Sequence, residues 1–191
     1  MTINHYLTEA SELLVQTAEG DLEKPVTAAI EVLVRVISEG KPVLVCGNGG
    51  SAADAMHIAG ELVGRYLLNR PAYKVISLGS DPAVTTAWSN DFDYESLFAR
   101  QVEGLGESGG ALWCLSTSGN SKNVVNAAAT AKDRGMTTIA FTGRGGGRLA
   151  NSDILVAVPS ESTARIQEVH TCLYHYVCEQ VEHRLTRCAE R

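Results

Sequence analysis

The sequence predicts a single α/β domain in which a doubly wound, five-stranded parallel sheet is flanked by helices. Short apolar runs alternate with helical patterns after residue 40, which is typical of strands joined by crossover helices. Each run is continuously apolar, as expected for parallel strands that are covered on both faces. A length of 191 residues fits one core, so we expect one domain over residues 1–191.

The first 40 residues predict a helical extension in front of the sheet. Apolar residues recur at helical spacing up to about Glu19 and again from Asp21 to Ser38. Pro25 is tolerated because it falls in the first turn of the second helix, where a backbone N–H has no partner within the helix. Gly40 then ends the helical pattern.

The segment over about residues 41–160 alternates between strands and helices, and a long helix follows it. The expected strands are 43–46, 73–77, 111–115, 137–141 and 154–158. The expected helices are 51–68, 81–89, 94–102, 122–134 and 163–187. Ligands of open α/β sheets bind beyond the carboxyl ends of the strands, so the turns after the strands are the first candidates for a site.

Composition narrows the possible functions. Twenty-two acidic and 16 basic residues give a formal net charge of −6, which argues against a nucleic-acid partner. No apolar stretch is long enough to span a membrane and the first residues lack the pattern of a signal peptide, so we expect no membrane partner and a cytoplasmic protein. The five cysteines form no CxxC motif and are expected to be reduced thiols.

Two of the turns combine glycine with hydroxyl side chains: 47–51, Gly-Asn-Gly-Gly-Ser, and 116–121, Ser-Thr-Ser-Gly-Asn-Ser. Glycine lets the backbone approach a ligand closely, and hydroxyl groups beside the free N–H groups of a helix start can bind a phosphate. An N-cap role for Ser51 or Ser121 would explain either turn alone. It does not explain four hydroxyl groups in six residues, which favour a phosphate site.

A dinucleotide site is the main alternative at the first turn, because Gly47-x-Gly49-x-x-Ala52 matches a relaxed fingerprint. The ribose-binding acid expected about 20 residues further on is absent, since 67–70 is Leu-Leu-Asn-Arg. A phosphate site therefore fits better. The run 143–148, Gly-Arg-Gly-Gly-Gly-Arg, looks like a single RGG element, but one copy in an acidic chain predicts a structural turn.

Two helices carry side chains suited to a metal or acid–base site. His57 and Glu61 are four residues apart and share one helix face. Gln167 and His175 lie about 80° apart around the last helix. Such a set could hold a divalent metal such as Zn²⁺, or it could move protons beside a carbonyl. Spacing alone leaves open a packed His57 and a solvated Glu61, because the two helices need not meet.

Five segments of the chain together match a known family. They are CGNGGSAADAMH at 46–57, ELVGRY at 61–66, SNDF at 89–92, STSGNS at 116–121 and RIQEVH at 165–170. In this order and spacing they resemble the phosphoheptose isomerases, a family of sugar-isomerase (SIS) domain proteins, and the resemblance covers about residues 13–185. It implies the SIS fold, a homotetramer with active sites shared between subunits, and one Zn²⁺ per subunit.

The resemblance also implies an activity and a set of site residues. The activity is the interconversion of sedoheptulose 7-phosphate and D-glycero-D-manno-heptose 7-phosphate through an enediol, the first step towards the nucleotide-activated heptoses of lipopolysaccharide, capsule, S-layer glycan or secondary metabolites. The family's zinc ligands fall on His57, Glu61, Gln167 and His175, and its acid–base pair falls on Glu61 and His175. Its substrate contacts fall on Asn48, Gly49, Gly50, Ser51, Glu61, Asn90, Asp91, Ser116, Thr117, Ser118, Ser121 and Gln167. Glu168 and His170 lie in a matching segment but are not ligands in the family.

Two other functions remain open at this point. Some SIS proteins near this family are non-catalytic, including one that associates with the bacterial replication initiator. That homologue lacks the equivalents of Glu61 and His175, and the presence of both residues here favours the enzyme. An isomerase of another sugar phosphate would use the same hydroxyl groups, because one extra methylene or hydroxyl is discriminated only modestly unless the site has polar groups matched to it.

Overall fold

A five-stranded sheet forms the centre of the computed structural model, which describes residues 1–189 with side chains up to residue 187. The strands are β1 (Val43–Gly47), β2 (Val75–Ser77), β3 (Ala111–Ser116), β4 (Thr137–Thr142) and β5 (Ile154–Ala157). Their order is β2-β1-β3-β4-β5 and all neighbouring strands are parallel. The parallel sheet expected from the sequence is confirmed.

Helices cover both faces of the sheet and extend it at the N-terminus. They are α1 (Ile3–Glu19), α2 (Glu23–Ser38), α3 (Gly50–Val63), α4 (Pro82–Asp91), α5 (Leu97–Leu105), α6 (Lys122–Asp133) and α7 (Thr163–Ala189). α2, α3 and α7 pack on one face, and α5 and α6 pack on the other. The doubly wound arrangement and the helical extension both agree with the prediction.

Alternate residues of β3 show why its sequence is continuously apolar. Trp113 and Leu115 point into the core formed with α2, α3 and α7, whereas Leu112 and Cys114 point into the core formed with α5 and α6. All four side chains are inaccessible to solvent. A strand buried on both faces needs apolar residues at every position, unlike a strand with one wet face.

The strand order brings the two predicted turns together. β1 continues into α3 on one face, β3 continues into α6 on the opposite face, and the two strands are neighbours. The chain therefore leaves adjacent strands in opposite directions, which opens a crevice at their carboxyl ends. Both the 47–51 turn and the 116–121 turn border this crevice.

α3 is shorter than predicted, because it ends at Val63 rather than at 68. The chain leaves the helix at Gly64, and the N–H groups of residues 66–68 donate to the carboxylate of Glu182 on α7 at 2.7–2.9 Å. These partners are more than 110 residues apart in sequence. Helical periodicity continues past Gly64, so only the contact with α7 reveals the end of the helix.

Arg70 completes this contact, and we call the pair the Arg70–Glu182 clamp. Its Nε donates to Glu182 Oε1 at 3.0 Å, and the two side chains are 3% and 1% exposed. Its Nη1 and Nη2 donate to the backbone carbonyls of Leu62 and Glu61 at 2.8 and 2.9 Å. Burial alone would raise the pKa of Glu182, but the backbone N–H groups and the guanidinium hold it below its ordinary value. The clamp ties the end of α3 to α7.

Other element boundaries differ from the prediction by a few residues. α5 begins at Leu97 rather than at 94, because Asp93 Oδ1 accepts the N–H of Ser96 at 2.6 Å in a turn that precedes the helix. α4 begins after Asp81, whose carboxylate caps it by accepting from the N–H of Ala83. Such side-chain-to-backbone bonds compete with helix formation locally.

The cysteines and the helices bear on two composition-based predictions. Four cysteines are free thiols: Cys46, Cys114, Cys172 and Cys178. The side chain of Cys188 lies outside the described residues. The contact with Cys114 and burial raise the pKa of the Cys46 thiol, so it stays protonated. Within residues 1–189, no helix combines the length and the apolar character needed to cross a bilayer.

Candidate functional site

The turn after β1 depends on glycine at two positions. A Cβ atom at Gly47 would lie 2.5 Å from the backbone oxygen of Ser51, so the strand and the helix can approach this closely only without one. Gly49 has a φ of +56°, which other residues rarely adopt. Ser51 is buried inside the first turn of α3, and Gly49 holds the N-cap position. The N-cap role considered for Ser51 is therefore wrong.

Gln167 of α7 lies directly over this turn. A Cβ atom at Gly50 would come within 2.5 Å of its Nε2, so the absence of a side chain at Gly50 makes room for the amide. Seven residues of α3, a rise of about 10 Å, separate Gly50 from His57. The structure places the predicted ligand Gln167 at the glycine turn, about two helical turns from the predicted ligand on α3.

Asn48 connects the two turns across the crevice. Its Nδ2 donates to Asn123 Oδ1 at 2.8 Å, and its Oδ1 accepts from Asn123 Nδ2 at 2.9 Å and from the Tyr94 hydroxyl at 2.8 Å. Sequence reasoning missed Asn123 and Tyr94. The one available signal for Asn123 was its position two residues after the polar 116–121 turn.

Asn90 and Asp91 lie at the end of α4 with exposed side chains. Asn90 Nδ2 donates to Asp91 Oδ1 at 3.0 Å. Tyr94 follows three residues later and reaches Asn48, so this end of α4 lies beside the glycine turn. Both predicted substrate contacts are therefore close to the crevice and accessible to solvent.

The hydroxyl groups of the 116–121 turn point towards one another and towards the start of α7. Ser116 Oγ lies 3.0 Å from Ser121 Oγ, and Thr117 Oγ1 lies 3.4 Å from Thr163 Oγ1. Ser121 holds the N-cap position of α6, but its hydroxyl makes no capping hydrogen bond. A cap role therefore does not explain this side chain, whose hydroxyl meets that of Ser116 instead.

The glycine-rich run 143–148 packs against the 116–121 turn through backbone contacts. Gly143 N–H donates to the Thr117 carbonyl at 2.9 Å, and Leu149 N–H donates to the Gly119 carbonyl at 3.1 Å. A Cβ atom at Gly119 would lie 2.0 Å from the Gly146 oxygen. This close backbone packing requires glycine, so the run is a structural turn, as predicted.

His57, Glu61 and His175 meet between α3 and α7. His57 Nε2 lies 3.0 Å from Glu61 Oε1 and 3.4 Å from His175 Nε2. One potential ligand atom from each residue lies within 4.8 Å of the other two. The side chains of His57 and Glu61 are 44% and 23% exposed, so the cluster is open to solvent. We call these three residues the His57–Glu61–His175 cluster.

A second set of polar groups lies behind His57. The hydroxyl of Tyr174 lies 3.0 Å from His57 Nδ1 and donates to Asp54 Oδ1 at 3.5 Å. Burial raises the pKa of Asp54, an effect that the Tyr174 hydrogen bond and the nearby imidazole oppose. Sequence reasoning missed both residues, and only the position of Asp54 one turn before His57 could have drawn attention to it.

His170 behaves as the family resemblance implies, without a ligand role. It is fully buried on α7, and its Nε2 lies 3.2 Å from the Thr142 carbonyl at the end of β4. Burial lowers its pKa to about 4, so the ring is neutral near pH 7. Glu168 instead pairs with Arg165 at 2.5 Å and accepts from the Tyr6 hydroxyl at 3.2 Å, which ties α7 to α1.

The donor set of the cluster fits a divalent metal. Imidazole nitrogen and carboxylate oxygen are the donors that zinc prefers outside cysteine-rich sites. Tetrahedral ligands at about 2.0–2.1 Å from an ion lie about 3.3 Å apart, close to the separations of 3.0 and 3.4 Å around His57 Nε2. The cluster is therefore a possible metal-binding group.

Comparisons with known proteins show the family of this chain. The family model for the SIS domain matches residues 5–143. The phosphoheptose isomerase of Methylibium petroleiphilum is 45% identical over 187 residues, which cover 96% of this chain and 93% of that protein.

Two solved structures are similar over nearly the whole chain. The phosphoheptose isomerase of Neisseria gonorrhoeae is 36% identical with a TM-score of 0.88, covering 94% of this chain and 96% of that one. The phosphoheptose isomerase of Francisella tularensis is 34% identical with a TM-score of 0.91, covering 96% and 100%. The chain belongs to the SIS-domain family and, within it, to the phosphoheptose isomerases.

Proposed function

We propose that this chain is an aldose–ketose isomerase that interconverts sedoheptulose 7-phosphate and D-glycero-D-manno-heptose 7-phosphate through an enediol. The observation that carries the proposal is the meeting of Glu61 with two imidazoles on α3 and α7, about two turns along α3 from a glycine turn that lies beside a hydroxyl-rich turn. A carboxylate and an imidazole provide the base and acid that proton transfer beside a carbonyl needs.

The spacing between the glycine turn and the cluster is compatible with a seven-carbon substrate. The glycine turn and the His57–Glu61–His175 cluster are about 10 Å apart along α3. In an extended heptose 7-phosphate, phosphorus and C1 are separated by roughly eight bonds of about 1.5 Å, which span about 10 Å in a zigzag. A phosphate at the turns would therefore leave C1 and C2 at the cluster.

The turns are assigned to phosphate and hydroxyl binding. Ser116, Thr117, Ser118 and Ser121 offer hydroxyl groups, and the exposed Gly49 and Gly50 offer backbone N–H groups at the start of α3. Such groups bind an anion without needing a positive side chain, in keeping with the acidic composition. Asn48 and Gln167 border the same turn, and Ser51 is buried beneath it. Asn90 and Asp91 lie beside it. All five residues are assigned to substrate binding.

Glu61 and His175 are assigned to proton transfer. The carboxylate of Glu61 takes the proton from the carbon beside the carbonyl and returns it to the neighbouring carbon, while the imidazole of His175 exchanges protons with the two oxygens. General acid–base groups of this kind contribute about 10²- to 10⁴-fold to a rate.

We further propose one Zn²⁺ per subunit, held by His57, Glu61 and His175. When bound, the metal would supply positive charge that polarises the carbonyl. The family resemblance adds Gln167 as a ligand, and within one chain its amide lies at the glycine turn.

We also propose an assembly and a location for the enzyme. α1 exposes the apolar side chains of Ile3, Leu7 and Val15, which supports burial against other subunits in a homotetramer with shared active sites. Sugar phosphates are charged and do not cross a bilayer unaided, so we place the enzyme in the cytoplasm. There it would start the synthesis of activated heptoses for products such as lipopolysaccharide.

Proton NMR of sedoheptulose 7-phosphate in D₂O with the purified protein tests the proposal. Deuterium next to the carbonyl together with new heptose phosphate, both suppressed by a chelator, is the expected result. Exchange with another sugar phosphate but none with the heptulose would make the protein an isomerase of different specificity. Sugar-phosphate binding without any exchange would support a non-catalytic SIS protein instead.

A further inference from the structure

Tyr174 lies between a carboxylate and the ring nitrogen of His57 that faces away from the cluster. Its side chain is 1% exposed, its hydroxyl lies 3.0 Å from His57 Nδ1, and it donates to Asp54 Oδ1 at 3.5 Å. The proposed function uses neither Tyr174 nor Asp54. Asp54 Oδ2 is also buried, with no hydrogen-bond partner among the described residues, so this carboxylate has acceptor capacity to spare.

The hydroxyl of Tyr174 has one proton, and the side chains of Asp54, His57 and Thr171 lie near it. An ionised Asp54 can only accept a hydrogen bond, so that proton is directed to Asp54. The hydroxyl oxygen can then accept from the atom beside it, which would place the donor hydrogen on His57 Nδ1. A neutral imidazole with its proton on Nδ1 has a lone pair on Nε2, which is the form that binds a metal.

Glu61, on the other side of the His57 ring, favours a proton on Nε2 instead. Glu61 Oε1 lies 3.0 Å from His57 Nε2 and, in the metal-free protein, competes for a proton on that nitrogen. Asp54 opposes this effect, because its negative charge acts through Tyr174 and favours a proton on Nδ1. The groups beside Nδ1 and the carboxylate beside Nε2 therefore determine together how readily the Nε2 lone pair can bind a metal.

We propose that Tyr174 and Asp54 are positioning residues that hold the His57 proton on Nδ1 and thereby present the Nε2 lone pair towards Glu61 and His175. The inference rests on the proposed function, since it concerns a ligand of the proposed metal site. Neither residue touches the substrate or the reacting atoms in this scheme, and each acts through His57.

Packing offers a simpler role for Tyr174. Its ring meets the His57 ring edge-on with centroids 5.3 Å apart, and it belongs to the core beneath α3 and α7. Phenylalanine would preserve both of these contacts and remove only the hydroxyl. A packing role therefore predicts no effect of Tyr174→Phe on metal binding, and none of Asp54→Asn.

The experiment measures Zn²⁺ affinity of the full chain by competition with a chromophoric chelator. Variants that lose an outer partner of a metal-bound histidine bind about 10- to 100-fold more weakly, and we expect this loss for Tyr174→Phe. Asp54→Asn leaves the tyrosine in place but offers it an amide donor, so we expect a loss in the same direction. Tyr176→Phe, on the same helix with a half-exposed ring, is the matched control and should bind as the wild type does.

Activity supplies an independent readout. We expect Tyr174→Phe to lose isomerase activity at limiting Zn²⁺ and to recover most of it at saturating Zn²⁺, because the ligand itself is intact. Wild-type affinity in both variants would overturn the inference, as would a wild-type protein that does not bind Zn²⁺. A wild-type protein that binds Zn²⁺ but does not isomerise the heptulose phosphate would overturn the proposed function alone.

Discussion

Polar side chains connect α3 with α7 at two places, the Arg70–Glu182 clamp and the His57–Glu61–His175 cluster. In the clamp, each carboxylate oxygen of Glu182 accepts two hydrogen bonds and both side chains are at most 3% exposed. In the cluster, a carboxylate oxygen of Glu61 and an imidazole nitrogen of His175 lie 3.0 and 3.4 Å from His57 Nε2, and the side chain of His57 is 44% exposed.

The difference in burial and hydrogen bonding distinguishes a contact that stabilises the fold from a group of residues that can bind a ligand. A buried charge is tolerated only when its hydrogen-bonding capacity is filled, and a filled group has nothing left to offer a ligand. An open cluster of two imidazoles and a carboxylate can bind a cation or exchange a proton with a ligand. The same two helices are therefore joined by a structural contact at Glu182 and by a chemically active one at His175, about two turns earlier on α7.

The largest expected effect comes from Glu61→Gln, which removes the carboxylate from the cluster without changing its shape. Turnover should fall by about 10²- to 10⁴-fold, because a general base is lost. Thermal unfolding should change little, since Glu61 is partly exposed and its backbone carbonyl still accepts from Arg70. Steady-state kinetics and a melting curve check both points.

Glu103→Gln on α5 is the control for this variant, because Glu103 forms only an exposed pair with Arg100. A Glu61→Gln protein that is well folded and keeps nearly full turnover would rule out the proposed base role.

The next largest effect is expected from Glu182→Gln, which breaks the clamp. Arg70 would keep its charge in a buried position without a counter-charge, a change that destabilises proteins by about 3–5 kcal/mol. Denaturant unfolding measures the loss. Pairing it with Arg70→Met should recover part of the stability, because no uncompensated charge then remains.

The exposed Arg100–Glu103 pair again gives the comparison, since breaking a surface pair changes stability by about 1 kcal/mol or less. Equal losses at the buried and exposed pairs would mean that the clamp does not stabilise the fold in the way described.

A smaller effect is expected from Ser121→Ala in the hydroxyl turn. The Ser121 hydroxyl does not cap α6 but lies 3.0 Å from that of the buried Ser116, so its loss should destabilise by about 1 kcal/mol, whereas KM for the sugar phosphate should rise about 10-fold or more. Asp81→Ala removes a side chain that does cap a helix and should destabilise by about 1 kcal/mol. If Ser121→Ala lost stability like Asp81→Ala and kept its KM, the residue would have a structural role alone.

The smallest effect concerns His170, which shares α7 with His175 but is fully buried. Its pKa is about 4 in the folded protein against about 6.5 when unfolded, so the unfolded chain binds more protons between these values. Stability should therefore fall with falling pH, by about 1 kcal/mol between about pH 7 and pH 5.5. His170→Gln should flatten this part of the pH profile, and an unchanged slope would show that His170 is not its source.

Much of the fold followed from local patterns. The continuous apolar run of β3 and the glycine turn after β1 are properties of adjacent residues, so both were predictable. The shared face of His57 and Glu61 follows from helical geometry alone. The end of α3 was predicted wrongly, because it depends on Glu182, which is more than 110 residues away from its partners.

The sequence by itself determined the parallel α/β class, the two turns and the residue types available for chemistry, because spacing of neighbouring residues controls each of these. Only the tertiary structure decided that α3 meets α7, that His175 reaches His57, and that Tyr174 lies behind it. These contacts join residues more than 115 positions apart. They depend on how buried apolar faces pack, which no local pattern specifies.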